Sequence, residues 1–212
     1  MISERLLKIA EMIEKDKVVF DVGSDHALLP CFLVNNNITD KVYAGEVAKG
    51  PYQKVLDTIE KNNLNGKVIP VFSDGLDEAP DDVEVVVIAG MGYYTIEHIL
   101  NNTDVNKYEY FIIQSNTDVD KLRKYISDHG YTITDEKIVK DGFYYQIVKF
   151  NGNNHEPYSD MEIKYGPINI ERMDDIFVEY LKDYKNRLEE INVRANKEEY
   201  CSTIKEIESL LV

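Results

Sequence analysis

The sequence predicts an α/β protein built on a doubly wound, mostly parallel β-sheet. Short apolar runs alternate with amphipathic segments along most of the chain, and glycine-rich or polar turns follow the runs. The most apolar run, residues 84–89, is typical of a strand that is covered on both faces at the centre of a parallel sheet. These two observations fix the predicted fold class.

The predicted elements follow one another in a regular order. Apolar residues at helical spacing predict a first helix over residues 3–14. Further helices are predicted over residues 27–35, 51–63 and 118–129. Strands are predicted over residues 17–23, 41–46, 67–72, 84–89, 110–113, 131–139 and 144–150.

The last quarter of the chain has a different pattern. A polar, turn-rich stretch at residues 151–157 predicts a linker. Beyond it, apolar residues recur in alternating steps of four and three, which predicts two helices paired as an antiparallel hairpin around residues 193–196. We therefore expect a main domain over residues 1–152 and a coiled-coil-like helical domain over residues 157–212.

Composition restricts the possible functions. A net charge of −15 argues against a nucleic-acid partner, because phosphate neutralisation usually supplies much of the affinity for nucleic acids. The two cysteines, Cys31 and Cys201, predict neither a disulfide framework nor a metal site. No apolar run approaches the roughly 20 residues of a membrane span, and the first residues do not resemble a signal peptide. We expect a cytoplasmic protein without membrane contacts.

Ligands of doubly wound sheets bind beyond the carboxyl ends of the strands, so the turns there are informative. The turn after the first strand reads Asp21-Val22-Gly23-Ser24-Asp25-His26. Its glycine allows a ligand to approach the backbone, whereas its carboxylates would repel a diphosphate and suit a cation. A sulfonium nucleoside such as S-adenosylmethionine fits this turn, with Asp21, Gly23, Ser24 and His26 as contacts. The glycine pattern of pyrophosphate binders is missing, which disfavours a nicotinamide oxidoreductase.

The turns after the next strands supply further candidates. Glu46, at the end of the second strand, can accept hydrogen bonds from both ribose hydroxyls, or is a solvated strand-end acid. Asp74-Gly75 can place a carboxylate against an adenine amino group, or forms a plain turn. Ala89-Gly90-Met91 suggests a tight backbone approach to a ligand, or a turn. After the fifth strand, Gln114 and Asn116 offer donors and acceptors to a base edge, or precede a capped helix.

Together these motifs resemble the bacterial tRNA (adenine-22-N1)-methyltransferases, the TrmK-type family. The likeness rests on Asp-Val-Gly-Ser-Asp-His-Ala-Leu-Leu-Pro at residues 21–30, Ala-Gly-Glu-Val at 44–47, Asp-Gly-Leu at 74–76 and Ile-Ala-Gly-Met-Gly at 88–92, in this order. It spans about residues 3–150 and extends to the helical tail. The family usually has glycine where this chain has Tyr93, and proline where it has Ser115.

The resemblance implies a Rossmann-like class I methyltransferase domain followed by a helical piece, with S-adenosylmethionine as the cofactor and tRNA as the partner. The methyl acceptor would be N1 of adenine 22, which lies on the pairing edge, so that the base must be unpaired or flipped out. The residues expected in catalysis are Asp25, Gln114 and Asn116. Those expected to contact tRNA are Tyr93, by stacking, with Arg5, Lys185 and Arg187, beside the other tail cations Lys182, Arg194 and Lys197.

Three alternatives remain at this stage. The acidic charge favours a methyltransferase that acts on a small molecule or a protein. A non-catalytic homologue that binds S-adenosylmethionine or RNA would keep the same motifs, and a nicotinamide oxidoreductase is disfavoured by the missing glycines. We expect a monomer or a weak dimer.

Overall fold

The computed structural model describes residues 2–212, apart from the side chains of residues 194 and 195. Within this part of the chain, seven strands form one sheet, and they are β1 (Val19–Val22), β2 (Val42–Glu46), β3 (Val68–Phe72), β4 (Val85–Met91), β5 (Tyr110–Ser115), β6 (Thr132–Asp141) and β7 (Phe143–Asn151). The strand order is β3-β2-β1-β4-β5-β7-β6. The first five strands are parallel, and β7 is antiparallel to both β5 and β6. The predicted fold class is therefore confirmed.

Five helices cover the two faces of the parallel part, and they are α1 (Glu4–Glu11), α2 (Leu28–Asn35), α3 (Lys49–Lys61), α4 (Tyr93–Asn101) and α5 (Val119–Asp128). Apolar side chains of the first three pack on one face, and those of α4 and α5 pack on the other. The four residues Val85 to Ile88 of β4 have no exposed surface because helices lie on both sides of them. This matches the apolar run in the sequence.

Two differences from the predicted elements affect the site. The sequence prediction had no helix after β4, but α4 begins directly at Tyr93. Gly90 and Gly92 suggested a turn there, and residues 93–95 are two tyrosines and a threonine, which have weak helix propensity. In addition, β5 continues to Ser115, so Gln114 lies inside the strand and not in the loop after it.

The C-terminal part consists of α6 (Asp160–Tyr165), α7 (Pro167–Arg172), α8 (Asp175–Ala195) and α9 (Glu198–Leu210). The predicted hairpin is present as α8 and α9, which are joined at residues 196–197 and share an apolar core that includes Leu181 and Ile207. The same core contains Ile138 of β6 and Phe177 of α8, so the tail packs on the antiparallel edge of the sheet. The division into domains at residues 152–157 stays a prediction.

A buried ion pair joins this tail to the sheet. The guanidinium of Arg123 on α5 donates to Glu136 of β6 at 2.6 Å, and neither side chain has exposed surface. Arg123 also donates to the carbonyls of Ile163 and Lys164 at the end of α6, and Glu136 accepts from the amide of Ile168 on α7. One charged pair thus connects four elements. Among the described helices, none is long and apolar enough to cross a membrane.

Candidate functional site

A cavity of about 270 Å³ opens at the carboxyl ends of β1 and β4. β1 pairs with β2 on one side and with β4 on the other, so the strand order reverses at this point and the connections leave in opposite directions. The residues that line the cavity are Arg5, Leu6, Asp21, Gly23, Ser24, Asp25, His26, Leu28, Leu29, Ala89 and Gly90. The structure therefore brings most of the predicted cofactor-binding residues to one cavity.

The loop after β1 is folded tightly by residues with left-handed backbone geometry. Gly23 has φ of 69°, and Asp25 and Ala27 have φ of 48° and 50°. A Cβ atom on Gly23 would collide with the Cε atom of Met91, and the amide of Ser24 donates to the carbonyl of Gly45 at 2.9 Å. A glycine is needed at residue 23 both for its positive φ and because Met91 occupies the place that a Cβ atom would take.

A second glycine shapes the opposite wall. The register between β4 and β5 shifts between Ala89 and Met91, so Gly90 is a bulge residue with φ of 80°. A Cβ atom there would lie 3.2 Å from Nη1 of Arg5. The bulge turns the end of β4 towards the cavity and leaves room for the Arg5 side chain.

The carboxylate of Asp21 lies at the base of the cavity with 6% of its surface exposed. Ser24 Oγ donates to Asp21 Oδ2 at 2.6 Å. Burial raises the pKa of Asp21 to about 7, although the hydrogen bond from Ser24 and the nearby Arg5 guanidinium act in the opposite direction. A cationic ligand in the cavity would favour the ionised carboxylate. At the rim, Asp25 Oδ2 and His26 Nε2 lie 3.6 Å apart and are partly exposed.

Gln114 lies beneath the cavity and has no exposed surface. Its Oε1 atom accepts hydrogen bonds from Arg5 Nη1 and from the amide of Gly90, and its Nε2 atom donates to Asn116 Oδ1 at 3.1 Å. The prediction that Gln114 touches the substrate is therefore wrong for this arrangement. It positions Arg5, Gly90 and Asn116. Arg5, predicted as a tRNA contact, instead lines the cavity.

Asn116 is exposed and is held from both sides. Its Nδ2 atom donates to the Gly90 carbonyl at 2.7 Å, and its backbone amide donates to the Met91 carbonyl at 2.8 Å. These bonds join the turn after β5 to the bulge of β4. Two of the predicted loops therefore form a single wall beside the cavity.

Glu46 and Asp74 do not line this cavity. Glu46 lies at the same edge of the sheet, at the end of β2, where its Oε1 atom accepts from the amides of Val47 and Ala48, each at 3.0 Å. Asp74 and Gly75 line a separate cavity of about 170 Å³ beside α4. Of the acids and glycines predicted to contact the cofactor, Asp21 and Gly23 thus line one cavity, and Glu46 and Asp74 do not line it. The contacts of the other two with a cofactor stay a prediction.

The tyrosine predicted to stack on the target base is buried. Tyr93 has 6% of its surface exposed, and its hydroxyl donates to Glu97 Oε1 at 2.6 Å. Because α4 begins at residue 93, this side chain packs into the core while its neighbour Tyr94 points outward with 66% exposed. The prediction for Tyr93 was wrong because the helix that sets its direction was not predicted.

A second opening, which we call the aromatic cleft, lies between the end of β5, the start of β7 and α8. It measures about 480 Å³ and is lined by Ser115, Asn116, Phe143, Tyr144, Tyr145, Tyr180, Asp183, Tyr184 and Arg187. Sequence reasoning missed its aromatic residues. The signal that could have revealed them is the run of three aromatic residues at 143–145, which begins a strand with a large exposed side chain.

Two of the predicted basic residues of the tail carry carboxylate partners. Lys185 Nζ lies 2.7 Å from Glu208 Oε1, and Arg187 pairs with Asp183. Both are on α8, but only Arg187 lines the aromatic cleft. The side chain of Arg194 lies outside the described part of the chain. Within that part, no group of three possible metal ligands occurs.

The first cavity fits a sulfonium amino acid. Its buried carboxylate suits an ammonium group, and the glycines at residues 23 and 90 let two walls of the cavity fold closely past Met91 and Arg5. The loop carries two carboxylates, Asp21 and Asp25, where a diphosphate would need unopposed amides. The donor set therefore agrees with S-adenosylmethionine and disagrees with a dinucleotide.

Comparison with known proteins leads to the same conclusion. The family model for tRNA (adenine(22)-N(1))-methyltransferase, TrmK, matches residues 19–211. The tRNA (adenine(22)-N(1))-methyltransferase of Bacillus subtilis strain 168 is 29% identical over 97% of this chain and 92% of its own length. Sp1610 of Streptococcus pneumoniae, solved in complex with S-adenosyl-L-methionine, has a TM-score of 0.90 at 30% identity, with both chains covered in full.

A further solved relative binds the cofactor product. TrmK of M. capricolum, in complex with S-adenosyl-homocysteine, has a TM-score of 0.82 at 30% identity and covers 99% of this chain and 96% of its own. The sequence motifs, the cavity at the strand reversal and these likenesses agree. The chain therefore belongs to the TrmK family of S-adenosylmethionine-dependent tRNA (adenine(22)-N(1))-methyltransferases.

Proposed function

We propose that this chain methylates N1 of adenine 22 in tRNA while the cavity between β1 and β4 holds the amino-acid end of S-adenosylmethionine. The observation that carries this proposal is the cavity itself, in which a buried carboxylate and two glycines with left-handed backbones face one another. When bound, S-adenosylmethionine supplies a methyl group on a positively charged sulfur. The remaining chemistry depends on how the protein positions the acceptor.

Three kinds of contact would hold the cofactor. Asp21, in its ionised form, pairs with the ammonium group, and Ser24 keeps that carboxylate oriented through a 2.6 Å hydrogen bond. Gly23 and Gly90 line the cavity, so their backbone atoms can contact the cofactor directly. Glu46, at the same edge of the sheet, would accept hydrogen bonds from the ribose hydroxyls through the capacity that its bonds to Val47 and Ala48 leave free, and Asp74 would accept one from the adenine amino group.

Adenine N1 needs little activation, because its ring nitrogen has an available lone pair near neutral pH. The protein therefore has to align the base and exclude water, and a general base is unnecessary. Asn116 suits the first task. Its side-chain amide has one hydrogen on Nδ2 and one lone pair on Oδ1 beyond the bonds to Gln114 and Gly90. The Oδ1 atom can therefore accept a hydrogen bond from the adenine amino group. Oxygens near the methylated base also stabilise the positive charge that develops there, and Asp25 at the rim adds a carboxylate.

The net charge of −15 remains unusual for an RNA-binding enzyme. Several basic side chains of the tail are already paired with carboxylates, as Lys185 is with Glu208. Affinity for tRNA would thus depend more on shape and base contacts than on a broad basic surface. We propose that the protein acts in the cytoplasm, where its substrate is made, as a monomer or a weak dimer.

A methyl-transfer assay tests the function. Unmodified tRNA transcripts carrying adenine or guanine at position 22 are incubated with labelled S-adenosylmethionine, and the nucleosides are analysed after digestion. We expect 1-methyladenosine only from the transcript with adenine 22. Equal incorporation into both transcripts would refute the site assignment. Cofactor binding without transfer to any tRNA would instead favour a non-catalytic homologue, and transfer to a small molecule alone would favour the other substrate class.

A further inference from the structure

We infer that the aromatic cleft holds the unpaired target adenine by stacking, so that α8 of the C-terminal hairpin forms one wall of the acceptor site. This inference rests on the proposed function, because it assigns the place where that substrate base lies. It replaces Tyr93, which is buried, with side chains that the sequence prediction did not consider.

The aromatic cleft lies beside the cofactor cavity. Asn116 lines the cleft and donates to the carbonyl of Gly90, which lines the cavity. The Arg5 guanidinium lines the cavity and lies 5.4 Å from the ring centre of Tyr145, which lines the cleft. Only one layer of side chains therefore separates the two openings. A base in the cleft can present its edge towards the cavity.

The walls of the cleft are largely aromatic. Phe143 stands at the start of β7 with 73% of its surface exposed, whereas large apolar side chains usually lose most of their exposure on folding. In the same cleft, Tyr144 meets the Tyr180 ring edge to face at 5.5 Å, and Tyr180 is stacked with Tyr184 at 6.0 Å. Aromatic side chains of this kind bind unpaired bases because every base has a π face.

Hydrogen bonds hold the walls of the cleft in place before a ligand binds. The hydroxyl of Tyr144 donates to Glu179 at 2.9 Å, and the hydroxyl of Tyr180 accepts from Gln146 at 3.2 Å. These bonds connect β7 to α8, so the ring planes are set by the fold. A preformed site loses less entropy when it binds a base.

The polar groups of the cleft favour a nucleotide over a purely apolar ligand. Asn116 lines the cleft and can read the pairing edge of the base. Arg187, which pairs with Asp183, lines the cleft from α8 and offers a guanidinium to a backbone phosphate. The volume of about 480 Å³ is within the range of roughly 300–1,000 Å³ found for small-ligand sites.

Substitutions at Phe143 test the inference, because this exposed side chain can be changed without disturbing the core. We compare Phe143→Leu, which keeps an apolar side chain but removes the ring, with Phe143→Trp, which keeps a ring. The measurements are kcat/KM for unmodified tRNA, the Kd of tRNA without cofactor, the Kd of S-adenosylmethionine and the Tm. Tyr94→Leu is the matched control, because Tyr94 is exposed and aromatic but lies on α4 and does not line the cleft.

We expect Phe143→Leu to lower kcat/KM about tenfold or more, as the loss of one base–aromatic stack does elsewhere. Binding of tRNA should weaken in the same direction, whereas Phe143→Trp, Tyr94→Leu, the Kd of S-adenosylmethionine and the Tm should stay near the wild-type values. Equal activity and equal tRNA binding of Phe143→Leu and the wild type would overturn the inference, as would a loss confined to Tyr94→Leu.

The two proposals fail in different ways. If the wild type transfers no methyl group to tRNA, the proposed function is refuted, and the tRNA Kd of the Phe143 variants still decides on the cleft. If the wild type is active and all Phe143 variants match it in both measurements, only the assignment of the cleft is refuted.

Discussion

Asp21 is the residue whose ionisation the site must control. Its carboxylate is buried at the base of the cofactor cavity, and this burial raises its pKa to about 7. In the unliganded protein the neutral acid is favoured below that pH. A bound ammonium group would favour the carboxylate, so cofactor binding below pH 7 requires the release of a proton.

The affinity for S-adenosylmethionine should therefore depend on pH. We expect the Kd to be nearly constant above about pH 7.5 and to rise as the pH falls from 7 to 5.5, by at most tenfold per pH unit for one linked proton. Titration calorimetry across this range measures it. The Asp21→Asn variant should bind more weakly at pH 8 and show a flatter profile. A wild-type Kd that is independent of pH, or an identical profile in the variant, would contradict the role of Asp21.

The same raised pKa has a consequence for stability, with the opposite sign from that of a salt-bridged acid. In the unfolded chain Asp21 has its ordinary pKa of 3.8, whereas in the folded chain its pKa is about 7. Between these values the folded state binds more protons, so the contribution of this group to stability falls as the pH rises from about 4 to about 7. At neutral pH this buried carboxylate therefore lowers the stability of the fold, whereas it favours the binding of a cationic ligand.

For individual residues, the sequence predicted which turn residues line the cofactor cavity, but it did not predict in which direction other side chains point. Asp21 and Gly23 could be recognised because a glycine and acids directly after an apolar strand have few structural explanations. Gln114 was misjudged because β5 continues two residues beyond its apolar run, to Ser115, which buries the amide. The aromatic run that begins with Phe143 could have been noticed, but not the cleft it lines, since its partners there come from α8, more than 30 residues later.

Among the elements, the Arg123–Glu136 pair determines how the helical tail is attached. The two side chains are fully buried and connect α5 and β6 with the ends of α6 and α7. Removing one partner would leave the other charge buried and uncompensated. The position of α8, and with it one wall of the aromatic cleft, depends on this attachment.

Replacement of Arg123 by methionine should lower the free energy of unfolding by about 3–5 kcal/mol, the usual cost of breaking a buried pair. Urea denaturation of the purified protein measures this change. The matched control is Lys124→Met on the same helix, because Lys124 pairs with Asp128 at 3.0 Å on the exposed face. That control should leave the free energy of unfolding nearly unchanged. Similar small losses in both variants would show that the buried pair does not hold the tail in place.

Elements with a clear apolar pattern were predicted correctly, and helices without one were not. The seams of α8 and α9 gave the hairpin, and the apolar runs gave all seven strands. Helices α6 and α7 have six residues each, which is too short for a helical period to be recognised. They form because of the capping box of Ser159 with Glu162 and the proline at the start of α7, and because they pack against the buried ion pair.

For the molecule as a whole, the reversal of strand order between β1 and β4 determines where a ligand binds. The parallel strands carry turns with glycines or acids at one edge, and the reversal opens the gap between two of them. The antiparallel β6–β7 pair extends the sheet, and α8 packs on it so that the aromatic cleft lies beside the carboxyl end of β5. The cofactor cavity and the aromatic cleft are neighbours for this reason.

The central claim is that the cavity at the β1–β4 reversal holds the methyl donor, and a pair of glycine variants tests it most directly. Gly23→Ala introduces a methyl group that would collide with Met91 Cε in a backbone with φ of 69°. Gly66→Ala places the same residue at φ of 83° with no heavy atom within 4 Å, so it carries similar backbone strain away from the cavity.

The measurement is the Kd of S-adenosylmethionine by titration calorimetry, with the Tm of each variant recorded. We expect Gly23→Ala to weaken cofactor binding by about tenfold or more, equivalent to about 1.4 kcal/mol, and Gly66→Ala to bind like the wild type. Equal, wild-type affinity in both variants would contradict the account.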